Sequence, residues 1–242
     1  MIPTALICLP YAGGGAAFFR NWHRLVPPQL TLVPVQLPGR EERAREAPYT
    51  DTVHAADHLV DEVADRIDDL GRAADRVAVF GHCVGAGLGY ELTRRLADEG
   101  IEVDHLYVSG AAGPRHRDVE RISHLDDEAF LHGVRRIAGY VHPAIDDPEM
   151  RQILLPPLRA DTAMHETYRS TWSEPLDVPV TALRGRHDAL VSAADAAEWA
   201  AETRAGFRSA EIEGDHMYLA ENATKLIDVI VEDFDEPQRR HA

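Results

Sequence analysis

Six short, β-rich apolar runs recur along the chain: "ALICLP" (5–10), "LTLVPVQLP" (30–38), "RVAVFGH" (76–82), "HLYVSG" (105–110), "VPVTALRG" (178–185) and "FRSAEIEG" (207–214). Most are continuously apolar rather than alternating, the pattern of parallel strands covered on both faces. Helical patterns fall between them, over about 52–70, 84–99, 192–204 and 217–234. Such alternation calls for an α/β architecture, a mostly parallel central sheet flanked by helices. A chain of 242 residues holds one such domain with a full core and is too short for two. The alternation breaks once. From about 114 to 172 the chain reads as helices only, including "LDDEAFLHGVRRIAG" and "PEMRQILLPPLRADTAMHETY". This helical insertion is expected to cover the active edge of the sheet as a lid.

The third strand runs into "FGHCVGAG", where Gly81 and Gly85 bracket Cys83. A residue at a sharp strand-to-helix turn is exposed at the carboxyl edge of the sheet, on a helix N-terminus whose free N–H groups favour negative charge. The turn requires small residues two before and two after, as here. Taken alone, G-x-C-x-G is a weak signal. Two later sites strengthen it: Asp188 follows the strand "VPVTALRG", and His216 follows "FRSAEIEG". Nucleophile, acid and base, each just past a strand, follow the chain order of α/β-hydrolase enzymes. Parallel sheets place their sites at the carboxyl ends of the strands, so the three are expected to meet. His216 would accept the Cys83 proton, and Asp188 would fix the imidazole tautomer. In the glycine-rich turn "LPYAGGGAAFF", the backbone near Ala12 could donate one oxyanion hydrogen bond, with the N–H of Val84 as the other. No Gly-Lys-Ser/Thr follows, which sets a phosphate-binding loop aside.

Composition narrows the partners. A net charge of −16 argues against nucleic acid and anionic membranes. Lys225 is the single lysine, so mechanisms needing a catalytic lysine have one candidate, near the C-terminus. Two cysteines make no disulfide scaffold, and Cys8 in "ALICLP" reads as a core residue. The first residues lack a basic segment before a long apolar run, and no run approaches the ~18 residues of a membrane span. A cytoplasmic monomer is the expectation.

The segments "LPYAGGGAAFFRNW", "VQLPGREER", "FGHCVGAG", "LLPPLRADTAMHETY", "VTALRGRHD" and "GDHMYLAEN", from about residue 6 to 222, resemble the stand-alone (type II) editing thioesterases of non-ribosomal peptide and polyketide synthesis. The resemblance implies an α/β-hydrolase fold and hydrolysis of acyl groups from the phosphopantetheine arm of an acyl or peptidyl carrier protein. It implies no metal or other cofactor. The family's serine, aspartate and histidine fall on Cys83, Asp188 and His216, and its oxyanion donors on Ala12 and Val84. The departure from the family is the cysteine.

A thiol, with an unperturbed pKa of about 8.5, is easier to activate than a serine hydroxyl. Serine attacking a thioester leaves an oxoester; cysteine leaves another thioester, with its transfer potential nearly intact. Three readings stay open: hydrolysis to the free acid, transfer to an amine or hydroxyl by an acyltransferase or cyclase, and an inactive homologue that only binds carrier proteins. Two basic clusters, Arg40 and Arg43 in "LPGREER" and Arg115, Arg117 and Arg121 in "GPRHRDVER", are either a docking patch for an acidic carrier protein or a set of surface ion pairs. His54 and His58 share a helix face but lack the glutamate of a zinc protease, and read as a solvated face. His82 reads as packing, His187 as a surface neighbour, and Asp215 as a weaker rival to Asp188.

Overall fold

The computed structural model describes residues 2–71, 74–116, 119–139 and 141–235. Six strands, β1 (Thr4–Leu9), β2 (Leu30–Pro34), β3 (Arg76–His82), β4 (His105–Ser109), β5 (Val180–Gly185) and β6 (Phe207–Ile212), form one parallel sheet in the order β2-β1-β3-β4-β5-β6. All six expected runs are strands. The second is shorter than the apolar run: the strand ends at Pro34, and Val35 N–H still donates to Cys8 O of β1 at 2.9 Å.

Helices α1 (Thr52–Leu70) and α2 (Val84–Asp98) follow β2 and β3 as expected, and Asp51 caps α1 by accepting the His54 N–H at 2.8 Å. The expected helix over 192–204 is α5 (Ala193–Ala197) continued by a 3-10 run, Glu198–Glu202. The one over 217–234 is divided at Asn222 into α6 (Tyr218–Glu221) and α7 (Ala223–Asp235). Between β4 and β5 lie α3 (Asp127–Ala138), a 3-10 turn at Pro143–Asp146 and α4 (Pro148–Thr167). Residues 114–116 and 119–126 are not helical, so the described part of the insertion contains less helix than its pattern suggested.

Each face of the sheet buries its own core. Ala5, Ile7, Leu9, Val77 and Val79 pack under α1 and α2, while Leu6, Cys8, Ala78 and Phe80 pack with Phe19, Trp22 and α7. Odd and even positions of one strand thus face opposite layers, as a two-sided sheet requires. Cys8 is fully buried, and burial pushes its thiol pKa up, as expected of an inert core residue. The insertion holds a third, smaller core of Ile122, Phe130, Leu131, Val134, Ile145, Leu155 and Leu158, and Ala12 packs against it. No helix among the described residues is long and apolar enough to cross a membrane.

Candidate active site

The sheet order brings the site residues together. Neighbouring strands β1 and β3 place Ala12 and Cys83 at one carboxyl edge, and neighbours β5 and β6 place Asp188 and His216 beside them. Cys83 has φ 56° and ψ −117°, a conformation that side chains other than glycine rarely adopt. The turn is held by backbone bonds from Cys83 N–H to Ser109 O at 2.8 Å and from Ala86 N–H to Cys83 O at 3.0 Å. Its glycines are obligatory: a Cβ on Gly81 would overlap the carbonyl of Gly85, and one on Gly85 would stand 2.6 Å from Pro10 O.

β4 separates the two halves of the site and ends at Ser109. Gly110 then has φ 55°, and a Cβ there would stand 2.5 Å from His82 Cε1 and 3.1 Å from His216 Cε1. A side chain at this position would therefore overlap the His82 ring and crowd the His216 ring beside it.

His216 Nδ1 donates to Asp188 Oδ2 at 2.9 Å. The other carboxylate oxygen of Asp188 accepts the N–H groups of Leu190 at 2.8 Å and Val191 at 3.1 Å. Burial raises the Asp188 pKa, but His216 and these two donors outweigh it and hold the carboxyl below its ordinary value. Burial lowers the His216 pKa; the contacts with Asp188 and with the Cys83 thiol on its other side overcome this and raise it. The arrangement can therefore take and hold a proton at His216 next to a sulfur nucleophile.

In the turn after β1, the N–H of Gly14 donates to Tyr11 O at 2.9 Å and that of Gly13 to Asp161 Oδ2 at 2.8 Å. Neither the Ala12 N–H nor the Val84 N–H has an acceptor among the described residues. A cavity of about 420 Å³ opens beside Cys83, with Ile122, Val134, Ile137 and Leu190 among its apolar lining and His165 as a polar group.

His82 is fully buried, with Nδ1 2.8 Å from Ser109 Oγ, which in turn meets the Tyr218 hydroxyl at 2.6 Å; it packs behind His216 with ring centroids 4.9 Å apart. His187 is exposed and faces Glu213, and Asp215 accepts the Met217 N–H rather than meeting His216. His54 and His58 are exposed on α1. The docking arginines do not form one patch of free cations. Arg40 is a correction: it is 5% exposed, because its guanidinium is locked onto the buried Asp161. Arg43 pairs with Glu46 and Glu62, and Arg115 with Glu202. Arg121 is exposed, and Arg117 lies outside the described residues.

Two residues at the site were not singled out from the sequence: Asp161, which accepts the Gly13 N–H, and His165, which lines the cavity. Both lie in the quoted "LLPPLRADTAMHETY". With Leu158 they recur at helical spacing on the inward side of α4, a signal that periodicity could have supplied. His116, Asp195 and Glu198 bring ligand-type atoms within 4.8 Å of one another, but Asp195 closes a capping box with Ser192 and Glu198 faces His116.

Comparison with known proteins bears on the family and the fold. The model of the thioesterase domain family matches residues 4–234. The gramicidin S biosynthesis protein GrsT of Aneurinibacillus migulanus is 34% identical over 225 residues, 92% of this chain and 86% of that protein. Thioesterase PikA5 of Streptomyces venezuelae is 34% identical over 215 residues, 88% of this chain and 75% of its own length. Among solved structures, the type II thioesterase BorB from the borrelidin biosynthetic cluster superposes with a TM-score of 0.84 at 32% identity, covering 95% of this chain and 91% of BorB.

Proposed function

The chain belongs to the thioesterase domain family and is a thioester-hydrolysing enzyme, and we propose that it releases acyl or peptidyl groups from phosphopantetheinyl carrier proteins through Cys83. The observation that carries this reading is the convergence of Cys83, His216 and Asp188 on one sheet edge, with the His216–Asp188 bond at 2.9 Å. The relatives named for gramicidin S and borrelidin biosynthesis support a carrier-bound substrate.

The chemistry runs in two halves. His216 takes the Cys83 proton, and the sulfur attacks the thioester carbonyl. The oxyanion that forms is met by the N–H groups of Ala12 and Val84. Collapse breaks the carbon–sulfur bond to pantetheine, whose sulfur leaves with the proton from His216, and an acyl-Cys83 thioester remains. His216 then deprotonates a water that attacks this carbonyl, and the acid departs as Cys83 is regenerated. Preorganised donors at the oxyanion are worth about 10²–10³ in rate each.

Cys83 itself favours a second reading: its acyl thioester retains the potential to acylate an amine or hydroxyl, making the enzyme an acyltransferase or cyclase. Incubation with an acyl-loaded carrier protein, with and without added amines, separates the two. Free acid under every condition supports hydrolysis; amide formation in preference to acid would overturn it.

A further inference from the structure

The turn after β1 is clamped on both sides of Ala12. Gly14 N–H is held by Tyr11 O, and Gly13 N–H is held by Asp161, a side chain from α4 nearly 150 residues downstream, while the Ala12 N–H has no acceptor among the described residues. Asp161 is itself held. Arg40 donates from Nη2 to Oδ1 at 2.9 Å and from Nη1 to Oδ2 at 2.5 Å, and the same Nη1 donates to Gly14 O at 2.9 Å. The side chains are 6% and 1% exposed. Gly13 has φ 77°, and a Cβ on it would stand 3.1 Å from Leu158 Cδ1, so α4 lies directly against the turn.

We propose that Asp161 is a positioning residue of the reaction: from α4 it fixes the Gly13 peptide, and through it the direction of the Ala12 N–H toward the reacting carbonyl. The inference rests on the reading above, in which Cys83 is the nucleophile and Ala12 an oxyanion donor. A purely structural ion pair explains the geometry less well. Burying two charges contributes little net stability, and apolar packing of the same volume serves as well or better. What apolar residues cannot supply is an acceptor for the amide next to the oxyanion donor. The following turn of α4 carries Thr162 and His165 into the cavity beside Cys83. One helix therefore both lines the acyl cavity and aims the turn.

Two reactions of Cys83 separate positioning from structure. Acylation by a small acyl thioester passes through an oxyanion. Alkylation by iodoacetamide, in which the sulfur displaces iodide, does not, and reports only the thiol–His216 pair. Asp161→Ala is expected to slow single-turnover acylation about 10- to 100-fold, with KM near wild type and alkylation within about twofold. Asp161→Asn keeps an oxygen for the Gly13 N–H and should recover most of the loss. If Asp161→Ala does not fold, the double variant Arg40→Met with Asp161→Leu removes both charges together, and the same selective loss is expected. Acylation and alkylation falling in parallel, or acylation unchanged, would overturn the positioning role. A wild-type enzyme that alkylates but never acylates at Cys83 would instead remove the nucleophile assignment, and this inference with it.

Discussion

His216 Nδ1 and Asp188 Oδ2 stand 2.9 Å apart, both buried, with the carboxylate also fixed by two backbone N–H groups. The pair holds the imidazole with Nε2 free to receive the Cys83 proton. Asp188→Asn preserves the size of the side chain but permits the wrong tautomer. Loss of kcat on the order of 10⁴ is expected, with KM little changed. A loss under tenfold in steady-state hydrolysis would remove Asp188 from the triad.

Gly110 borders the His82 and His216 rings. Gly110→Ala would place a Cβ 3.1 Å from His216 Cε1 and 2.5 Å from His82 Cε1, at a φ of 55° that disfavours alanine. The backbone penalty is about 1–2 kcal/mol. Moving the imidazole by a fraction of an ångström is expected to reduce kcat by roughly 10²-fold. Urea unfolding and kcat measured on the same variant check both. Wild-type turnover with reduced stability would show that His216 tolerates displacement.

His165 predicts an acid sensitivity. Burial, then the His216 charge, lowers its pKa from 6.5 to about 4, against an opposing pull from Glu166, with Arg169 and His116 adding to the lowering. The folded pKa lies below the unfolded one. As pH falls from about 6.5 toward 4, the unfolded chain binds a proton that the folded protein refuses, and stability is lost. The full shift would be worth about 3 kcal/mol, but the ring borders the cavity and water there screens it, so about 1–2 kcal/mol is expected. Urea unfolding from pH 7 to 4 should therefore cost wild type that much more than His165→Leu. Equal losses would mean the ring is protonated without penalty.

Burial separates Arg40 from Arg121. Arg121→Glu, on an exposed side chain, should raise KM for a carrier-bound acyl group several-fold and leave KM for a small acyl thioester unchanged. Arg40→Glu would bury a carboxylate against Asp161 and is expected to cost about 3–5 kcal/mol, visible as loss of the folded state. Equal KM effects of Arg121→Glu on both substrates would refute docking there.

Much of this was legible in the sequence because it is local. Short β-rich runs, most of them continuously apolar, marked the six strands, and Gly81 and Gly85 marked the turn at Cys83. Asp188 and His216 could be placed because each directly follows a strand. Contacts between distant segments were not legible. "LPGREER" looks like surface, since an arginine among glutamates carries no sign of the aspartate at 161 that buries it. Likewise, helical period cannot say that the prolines at 156 and 157 sit inside α4, or that Asn222 divides the last helix.

Whether Cys83 carries the acyl group can be read by intact-protein mass spectrometry after mixing with an acyl-loaded carrier protein. A transient mass gain equal to the acyl group is expected, mapped to Cys83, absent in Cys83→Ala and retained to a lesser extent as an ester in Cys83→Ser, decaying as free acid appears. An adduct on another residue, or full turnover by Cys83→Ala, would contradict it.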